Sequence, residues 1–322
     1  MEAPAGQDGR RRPALIEAIR PAHWIKNLLV LAPLPFSGQW DQPWAWATAL
    51  GAFAAFCALA SSIYLINDIA DRRADQAHPQ KRGRPIASGR LAVPAAAISA
   101  VVLLAIGAAV VAAVWQALRV RGLTVYGTSL AAWAGAYVVL NLAYSLGLKG
   151  RPILDVLAVA LGFVLRAMAG ASAVAAVISP WLVVCTFTLC LFIALAKRRS
   201  EIVALGEQAA GARRVHGFYT LTNLEHMLAV SAGLAILTYS LYCLAPGTIE
   251  RVGSAHLIWT IPVVVYGMFR YYCLSLNSPA EDPVGIVMGD KVLWLVGVAW
   301  LACVAAVVTW GRMPAVRDLL LH

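Results

Sequence analysis

Three aspartates at the end of an apolar segment are the residues of this sequence best suited to chemistry. Asp68, Asp71 and Asp75 are spaced i, i+3 and i+7, which predicts that they share one face of a helix. Carboxylates this close repel one another unless a cation lies between them, and Mg²⁺ is usually held by one or two carboxylates plus phosphate oxygens. Asn67 offers a further oxygen ligand or a phosphate donor. The spacing therefore predicts a metal site with the three aspartates as catalytic ligands; the simpler alternative is a solvated helix end.

A cluster of cations follows this acid motif. The segment K-R-G-R-P-I-A-S-G contains Lys81, Arg82 and Arg84. Acids beside bases suit a metal–pyrophosphate complex, because the acids hold the metal while the bases take the remaining phosphate charge, which arginine can bind in a bidentate manner. The alternative is a positively charged loop at a membrane surface that has no further function.

The elements that must position these residues are long and apolar. The chain has 322 residues, of which 61% are hydrophobic and 13% charged, against roughly 25% charged residues in soluble domains. A bilayer-spanning helix needs about 20 apolar residues, and the length of the runs and their lack of alternation exclude a β-barrel. We predict an all-α, polytopic membrane protein, one transferase domain over 1–322 with a basic segment at 1–20. Nine helices are predicted at roughly 25–38, 44–66, 91–116, 124–147, 153–175, 180–197, 224–245, 255–275 and 290–310.

The distribution of charge predicts the orientation of this bundle. Nineteen of the 26 lysines and arginines lie in or beside the N-terminus and every second connecting segment, and five lie in the other set. The positive-inside rule makes the first set cytoplasmic, with the N-terminus inside and the C-terminus outside an inner (plasma) membrane. Arg166 lies inside the fifth predicted span, where a charge is costly and usually functional. We expect it at the cavity, with Asp155 as a candidate partner.

The acid motif and the basic segment after it resemble the UbiA superfamily of intramembrane prenyltransferases. The nine-helix pattern agrees with that family, so the resemblance extends over nearly the whole chain. It implies that a pyrophosphate substrate binds through Mg²⁺ and that its C–O bond is ionised. Mn²⁺ is expected to substitute.

The sequence departs from most aromatic prenyltransferases of this superfamily after the sixth helix. Their second motif, D-x-x-x-D, is replaced by A-K-R-R-S-E at 196–201. Together with R-P-x-x-W-I-K-N, Y-S-x-x-L-K-x-x-P-x-x-D and K-R-x-x-E, this change resembles the phosphoribosyltransferase branch. That branch transfers 5-phosphoribose from phosphoribosyl pyrophosphate (PRPP) to decaprenyl phosphate or another polyprenyl phosphate, on the way to the arabinose donor of cell-wall arabinan. The resemblance and the surplus of cations extend the expected substrate-binding set to Lys26, Tyr144, Lys149, Arg166, Lys197, Arg198 and Glu201.

Two alternatives remain open at this point. An aromatic prenyltransferase using an allylic pyrophosphate would share the acid motif and the fold, and the missing second acid motif argues against it. A transporter would also carry charges inside the membrane, but transporters of this size usually show internal repeats, which this sequence lacks. No nucleic-acid partner is expected, because the sequence contains no basic, water-exposed domain.

Overall fold

The computed structural model describes residues 13–39, 41–77, 81–205, 218–277 and 283–310. Within these ranges every regular element is helical, as predicted. Eight described helices are long and apolar enough to cross a membrane. We label the long helices α1 Pro43–Ala70, α2 Val93–Val120, α3 Thr124–Leu146, α4 Leu154–Ala173, α5 Pro180–Leu205, α6 Leu221–Leu244, α7 Ile261–Asn277 and α8 Lys291–Trp310. Of the predicted basic segment 1–20, residues 1–12 lie outside the described residues.

Short helices connect the long ones. The α-helical ones are Ala14–Ile19, Arg72–Ala77, Pro246–Val252 and Pro283–Gly289, and the 3₁₀ ones are Pro21–Val30, Leu34–Phe36, Leu148–Gly150 and His256–Thr260. Successive long helices alternate in direction, so that α1, α3, α5 and α7 end where the acid motif lies. We call this end of the bundle, marked by Asp68, Asp71 and Asp75, the acid end.

The first predicted helix, 25–38, is the main difference from the sequence-based expectation. Its place is taken by the 3₁₀ helix Pro21–Val30 and by turns that lead to Pro43. Pro33 and Pro35 lack the N–H that an α-helix needs at these positions, so a continuous α-helix cannot form here.

The 3₁₀ segment nevertheless runs antiparallel to α1 through the depth of the bundle. Trp24 Nε1 donates to Ser61 Oγ at 3.0 Å, and three residues further on Asn27 Nδ2 lies 3.4 Å from Cys57 Sγ. Leu34 then belongs to an apolar cluster at the opposite end of α1. The segment therefore acts as an additional crossing element. With the eight long helices it makes nine crossing elements among the described residues, in approximate agreement with the nine predicted helices.

Close packing against α4 holds this segment in place. A Cβ atom at Gly170 would lie 1.9 Å from the carbonyl oxygen of Val30, so only glycine allows the two backbones to approach this closely. The two central helices are α1 and α4. In their most apolar stretches of 18 residues, 67% and 72% of the residues are buried, against 11% in α8. The crossing segment thus packs onto the most buried part of the bundle.

Candidate active site

Two of the three aspartates share one arginine at the acid end. Arg84 Nη1 lies 3.2 Å from Asp68 Oδ1 and 2.8 Å from Asp75 Oδ2. Arg20 Nη2 donates to the same Asp68 oxygen at 2.5 Å. Both carboxylates are almost fully buried, while the two arginine side chains remain 23–30% exposed. Two buried acids therefore face two cations that reach solvent.

The third aspartate has a different partner. Asp71 Oδ1 forms an ion pair with Lys149 Nζ, and both side chains are partly exposed. The helix that carries the acid motif ends at Ala70, with Asp71 as its C-cap, and Asp75 lies in Arg72–Ala77. The predicted single helix is thus interrupted, although hydrogen bonds from Asp71 N–H to the Asn67 carbonyl and from Asp75 N–H to the Asp71 carbonyl, both 2.8 Å, continue the helical spacing.

The arrangement of the carboxylates fits a hard divalent cation in part. In the described ranges, no three His, Cys, Asp or Glu side chains form a group that could hold a metal ion. Arg84 Nη1, however, places a positive charge within 3.2 Å of two carboxylate oxygens. A cation is therefore accommodated between Asp68 and Asp75, and Mg²⁺ usually needs no more than one or two carboxylates when phosphate supplies the other oxygens. The donor set of this pair suits Mg²⁺, with Asp71 at its edge.

The other cations of the basic loop differ in exposure. Arg82 is exposed and Lys81 is half-buried. Arg90 closes the loop: it donates to both carboxylate oxygens of Glu17, at 2.7 and 2.9 Å, and to the Gly83 carbonyl at 2.8 Å. The hydrogen bond to Glu17 raises the pKa of Arg90 above its ordinary value. The helix Ala14–Ile19 and the basic loop are therefore tied together at the acid end.

A second polar cluster lies where α4 begins and α5 ends. Arg198 Nε lies 2.8 Å from Asp155 Oδ2, and Arg198 Nη1 forms an ion pair with Glu201. Tyr144 OH is 3.5 Å from Arg198 Nη2. Arg198 is 4% exposed and Asp155 is fully buried, whereas the neighbouring Lys197 is half-buried. The structure thus brings the predicted Tyr144, Arg198 and Glu201 together, with the guanidinium of Arg198 turned onto protein carboxylates.

Tyr219 completes this second cluster. Its hydroxyl donates to Asp155 Oδ1 at 2.8 Å and accepts from the Ile153 N–H at 2.7 Å. Burial raises the pKa of Tyr219, and the bond to Asp155 raises it further, so the hydroxyl stays protonated at neutral pH. Sequence reasoning missed Tyr219, because no motif or spacing singles it out.

Arg166 lies deeper in the bundle than the other predicted site residues. Its Nε donates to Asn27 Oδ1 at 2.8 Å, its Nη2 to Tyr137 OH at 2.7 Å and its Nη1 to the Gly162 carbonyl at 3.1 Å. The proposed pairing with Asp155 is wrong. Eleven residues of helix separate the two, about 16 Å along the axis, and Asp155 is bound by Arg198.

Lys26 occupies the 3₁₀ segment next to Asn27 and is half-buried. Sequence reasoning also left Arg20 out of the site, although it begins the quoted motif R-P-x-x-W-I-K-N. Its backbone is left-handed, with φ 53° and ψ 62°, which turns the chain between the first helix and the 3₁₀ segment. Its contact with Asp68 was not predictable, because it depends on how that segment packs against α1.

Comparison with known proteins assigns the chain to a family. The model of the UbiA prenyltransferase family matches residues 29–288. The decaprenyl-phosphate phosphoribosyltransferase of Corynebacterium glutamicum is 33% identical over 299 residues, which cover 91% of this chain and 86% of that protein. The protein of the same name from Mycolicibacterium smegmatis is 35% identical over 314 residues, which cover 91% of this chain and 92% of that protein.

A solved structure shares the fold. It is a UbiA homolog from Archaeoglobus fulgidus bound to GPP and Mg²⁺, with a TM-score of 0.70, 18% identity, and coverage of 92% of this chain and 99% of that one. With eight described helices that can each cross a membrane, the protein is a multi-pass membrane protein. The chain belongs to the UbiA prenyltransferase family.

Proposed function

We propose that this protein transfers 5-phosphoribose from PRPP to decaprenyl phosphate, or another polyprenyl phosphate, and releases pyrophosphate. The observation that carries the proposal is the extended similarity to relatives named decaprenyl-phosphate phosphoribosyltransferase, at 33–35% identity over 91% of the chain. The site chemistry supports it, because each aspartate of the acid motif faces a cation that can bind phosphate instead. The product would serve as a precursor of the arabinose donor for cell-wall arabinan.

Asp68 and Asp75 would hold Mg²⁺, with Asn67 beside them. Asp71 forms no metal-holding group with them in the described ranges and would become the third ligand by turning from Lys149 to the metal. Bound Mg²⁺ would supply charge neutralisation for the departing pyrophosphate. Arg84 and Lys149, whose present partners are carboxylates, would turn to phosphate oxygens when those carboxylates are engaged elsewhere. Lys26, Lys81 and Arg82 would add positive charge, and Lys197, Arg198, Glu201 and Tyr144 would form the side of the site nearer α5.

The bond changes need no general base. The bond between C1 of the ribose and the pyrophosphate oxygen breaks, and the electron pair leaves with pyrophosphate. A phosphate oxygen of the lipid then forms the new bond to C1. This oxygen is already anionic near neutral pH, so no proton has to be removed, and cations aimed at the developing negative charge make the main contribution.

An apolar crevice could bind the hydrocarbon chain of the lipid substrate. A cavity of about 280 Å³ lies between the start of the bundle and α8 and is lined almost wholly by apolar groups, among them Leu34, Trp46, Val304 and Val308. It lies at the end of the bundle opposite the aspartates. A polyprenyl chain held there would run along the bundle while its phosphate reaches the acid end.

The acid end would face the cytoplasm of a cell with an inner (plasma) membrane, where water-soluble PRPP is available. The charge distribution supports this orientation. Cysteines introduced at Ser88, which is exposed at the acid end, and at Ser254, at the opposite end, should react with impermeant reagents from opposite sides. Labelling of Ser88→Cys from outside intact cells would overturn the orientation.

The test of the function is a donor competition with purified protein in detergent or liposomes. Labelled PRPP and decaprenyl phosphate should give lipid-linked phosphoribose in the presence of Mg²⁺ or Mn²⁺, and excess EDTA should stop it. Geranyl pyrophosphate should fail as donor. If an allylic pyrophosphate prenylates an aromatic acceptor while PRPP gives no lipid product, the protein is an aromatic prenyltransferase and the proposed donor is wrong.

A further inference from the structure

The turn that leads into α4 has an unusual backbone. Ile153 has φ 68° and ψ −48°, and the Leu154 N–H donates to the Pro152 carbonyl at 2.8 Å. These values describe a γ-turn of the rare positive-φ form, which is strained. A β-branched residue at positive φ is uncommon, and such conformations persist only where surrounding contacts hold them.

The contacts that hold this turn converge on Tyr219. Its hydroxyl accepts the Ile153 N–H at 2.7 Å and donates to Asp155 Oδ1 at 2.8 Å, two residues along the chain. The other oxygen of Asp155 lies 2.8 Å from Arg198 Nε. Tyr219 is 4% exposed and Asp155 is fully buried, so water cannot replace this hydroxyl without opening the structure. One phenol oxygen therefore links the strained turn to α4, α5 and the residues just before α6.

The turn lies close in sequence to a predicted substrate-binding residue. The 3₁₀ helix Leu148–Gly150 ends three residues before Ile153, and Lys149 within it forms the ion pair with Asp71. A lysine side chain is long and has many rotamers, so its position depends on where its backbone is fixed. The direction in which the chain enters α4 therefore affects where the Lys149 backbone lies, and so how its side chain reaches Asp71.

We propose that Tyr219 is a positioning residue for the transferase reaction: it holds the turn at Ile153 and so keeps Lys149 at the acid end. This inference rests on the proposed function, in which Lys149 binds substrate phosphate. Tyr219 has no part in the chemistry itself, since its hydroxyl is engaged by Ile153 and Asp155. It acts through the backbone of the turn.

The kinetic test removes the hydroxyl alone. Tyr219→Phe should lower kcat/KM for PRPP about tenfold, the effect of leaving buried partners unsatisfied. Tyr239→Phe is the matched control. That hydroxyl is also buried and bonded, to Thr260 at 2.6 Å and Trp300 at 2.9 Å, but it lies at the opposite end of the bundle; kcat/KM should stay within about twofold of the unmodified protein.

Two further variants separate positioning from a general loss of packing. In a Lys149→Met background, Tyr219→Phe should produce no further loss, because the residue it positions is gone. Ile153→Gly should restore most of the activity of Tyr219→Phe, since glycine adopts positive φ without strain. An equal loss with and without Lys149, or no restoration by glycine, would overturn the proposal.

Hydrogen exchange tests the contact without any substrate. The Ile153 amide should exchange at least tenfold faster in Tyr219→Phe than in the unmodified protein, with no such change in Tyr239→Phe. If the unmodified protein transfers no phosphoribose, the proposed function fails while this measurement still tests the link. Unchanged exchange would overturn the link itself. If neither Tyr219→Phe nor its combination with Ile153→Gly folds, the hydroxyl serves the bundle as a whole and the proposal is wrong.

Discussion

Charged side chains have different kinds of partner in two regions of this molecule: opposite charges in one and neutral groups in the other. At the acid end each aspartate of the motif is paired with a cation, and the arginine and lysine partners are 23–30% exposed. Arg166 as a residue is 7% exposed, and its guanidinium is bound by two neutral side chains, Asn27 and Tyr137, and by the Gly162 carbonyl. We call this second set the Arg166 network.

The difference indicates which charges can change partners. The Asp71–Lys149 pair is partly exposed on both sides, and such pairs contribute little to stability, about 0–1 kcal/mol. Asp68 and Asp75 are buried and need a cation beside them. Their arginine partners reach solvent, however, so a metal ion can take the place of an arginine that turns to phosphate. The Arg166 network is buried, and breaking its hydrogen bonds leaves polar groups without partners. The first region is therefore suited to binding, and the second to fixing the 3₁₀ segment against α3 and α4.

The largest effect, a loss of folded protein, is expected for a substitution where the 3₁₀ segment contacts α4. Gly170→Val places a side chain where even a Cβ would be 1.9 Å from the Val30 carbonyl oxygen, and this backbone cannot move aside without breaking the Arg166 network. We expect almost no folded protein by fluorescence-detected size exclusion in detergent.

Gly233→Ala is the control for this substitution. A Cβ at Gly233 has no neighbour within 4 Å, and alanine is the better helix former by roughly 1 kcal/mol. Its yield and thermal stability should equal or exceed those of the unmodified protein. A monodisperse, stable Gly170→Val protein would mean that the segment is not fixed as described.

A large effect on activity is expected at the acid end. Asp68→Asn keeps the shape of the side chain and removes the charge that faces Arg20 and Arg84. Turnover should fall about a hundredfold to a thousandfold, as for the loss of one preorganised electrostatic contact, while thermal stability changes little. Steady-state assays with PRPP and unfolding curves on the same preparation measure both.

Asp290→Asn provides the comparison for this variant. Asp290 lies at the same end of the bundle, and hydrogen bonds from Arg270 and the Leu293 N–H lower its pKa to about 2. It is thus an ionised, paired aspartate outside the cluster, and its replacement should leave turnover within about twofold. Equal losses in both variants would indicate a general effect of charge at this end.

Replacing Arg166 should affect stability more than activity, and this contrast distinguishes the Arg166 network from the acid end. Arg166→Met should lower the melting temperature, because Asn27 and Tyr137 lose their charged partner at roughly 1.5–3 kcal/mol per hydrogen bond. The KM for PRPP should stay within about twofold. The role in substrate binding expected for Arg166 from the sequence remains a prediction, and it requires the reverse: a tenfold rise in KM at unchanged stability.

The course of the chain was largely predictable. Runs of about 20 apolar residues identify each long helix, because lipid leaves the backbone no other partner than itself. The 3₁₀ form of Pro21–Val30 was not predicted, since its length and hydrophobicity also suit an α-helix. Pro33 and Pro35, which follow this segment, were the residues in the sequence that indicated a break from α-helix. The extension of α5 to Leu205 was also missed, because the cations at its end suggested a loop.

A candidate site could be proposed from the sequence as a set of residues, but not as a set of contacts. Periodicity, which depends only on local helix geometry, predicted one face for Asp68, Asp71 and Asp75. In the structure Asp68 and Asp75 share an arginine, whereas Asp71 pairs with a separate lysine. Which cation meets which acid depends on packing between distant segments: Arg20 is 48 residues from Asp68, and Lys149 is 78 residues from Asp71. A single sequence carries no signal for such distances.

The most direct measurement is calorimetric binding of pyrophosphate to the purified protein, with and without Mg²⁺. Pyrophosphate should bind the unmodified protein in the presence of Mg²⁺ and bind much more weakly without it. Asp68→Asn should lose this dependence on Mg²⁺, and Arg166→Met, measured below its melting temperature, should keep it. Binding by Asp68→Asn that equals the unmodified protein, or a loss confined to Arg166→Met, would contradict the assignment of the exchangeable charges to the acid end.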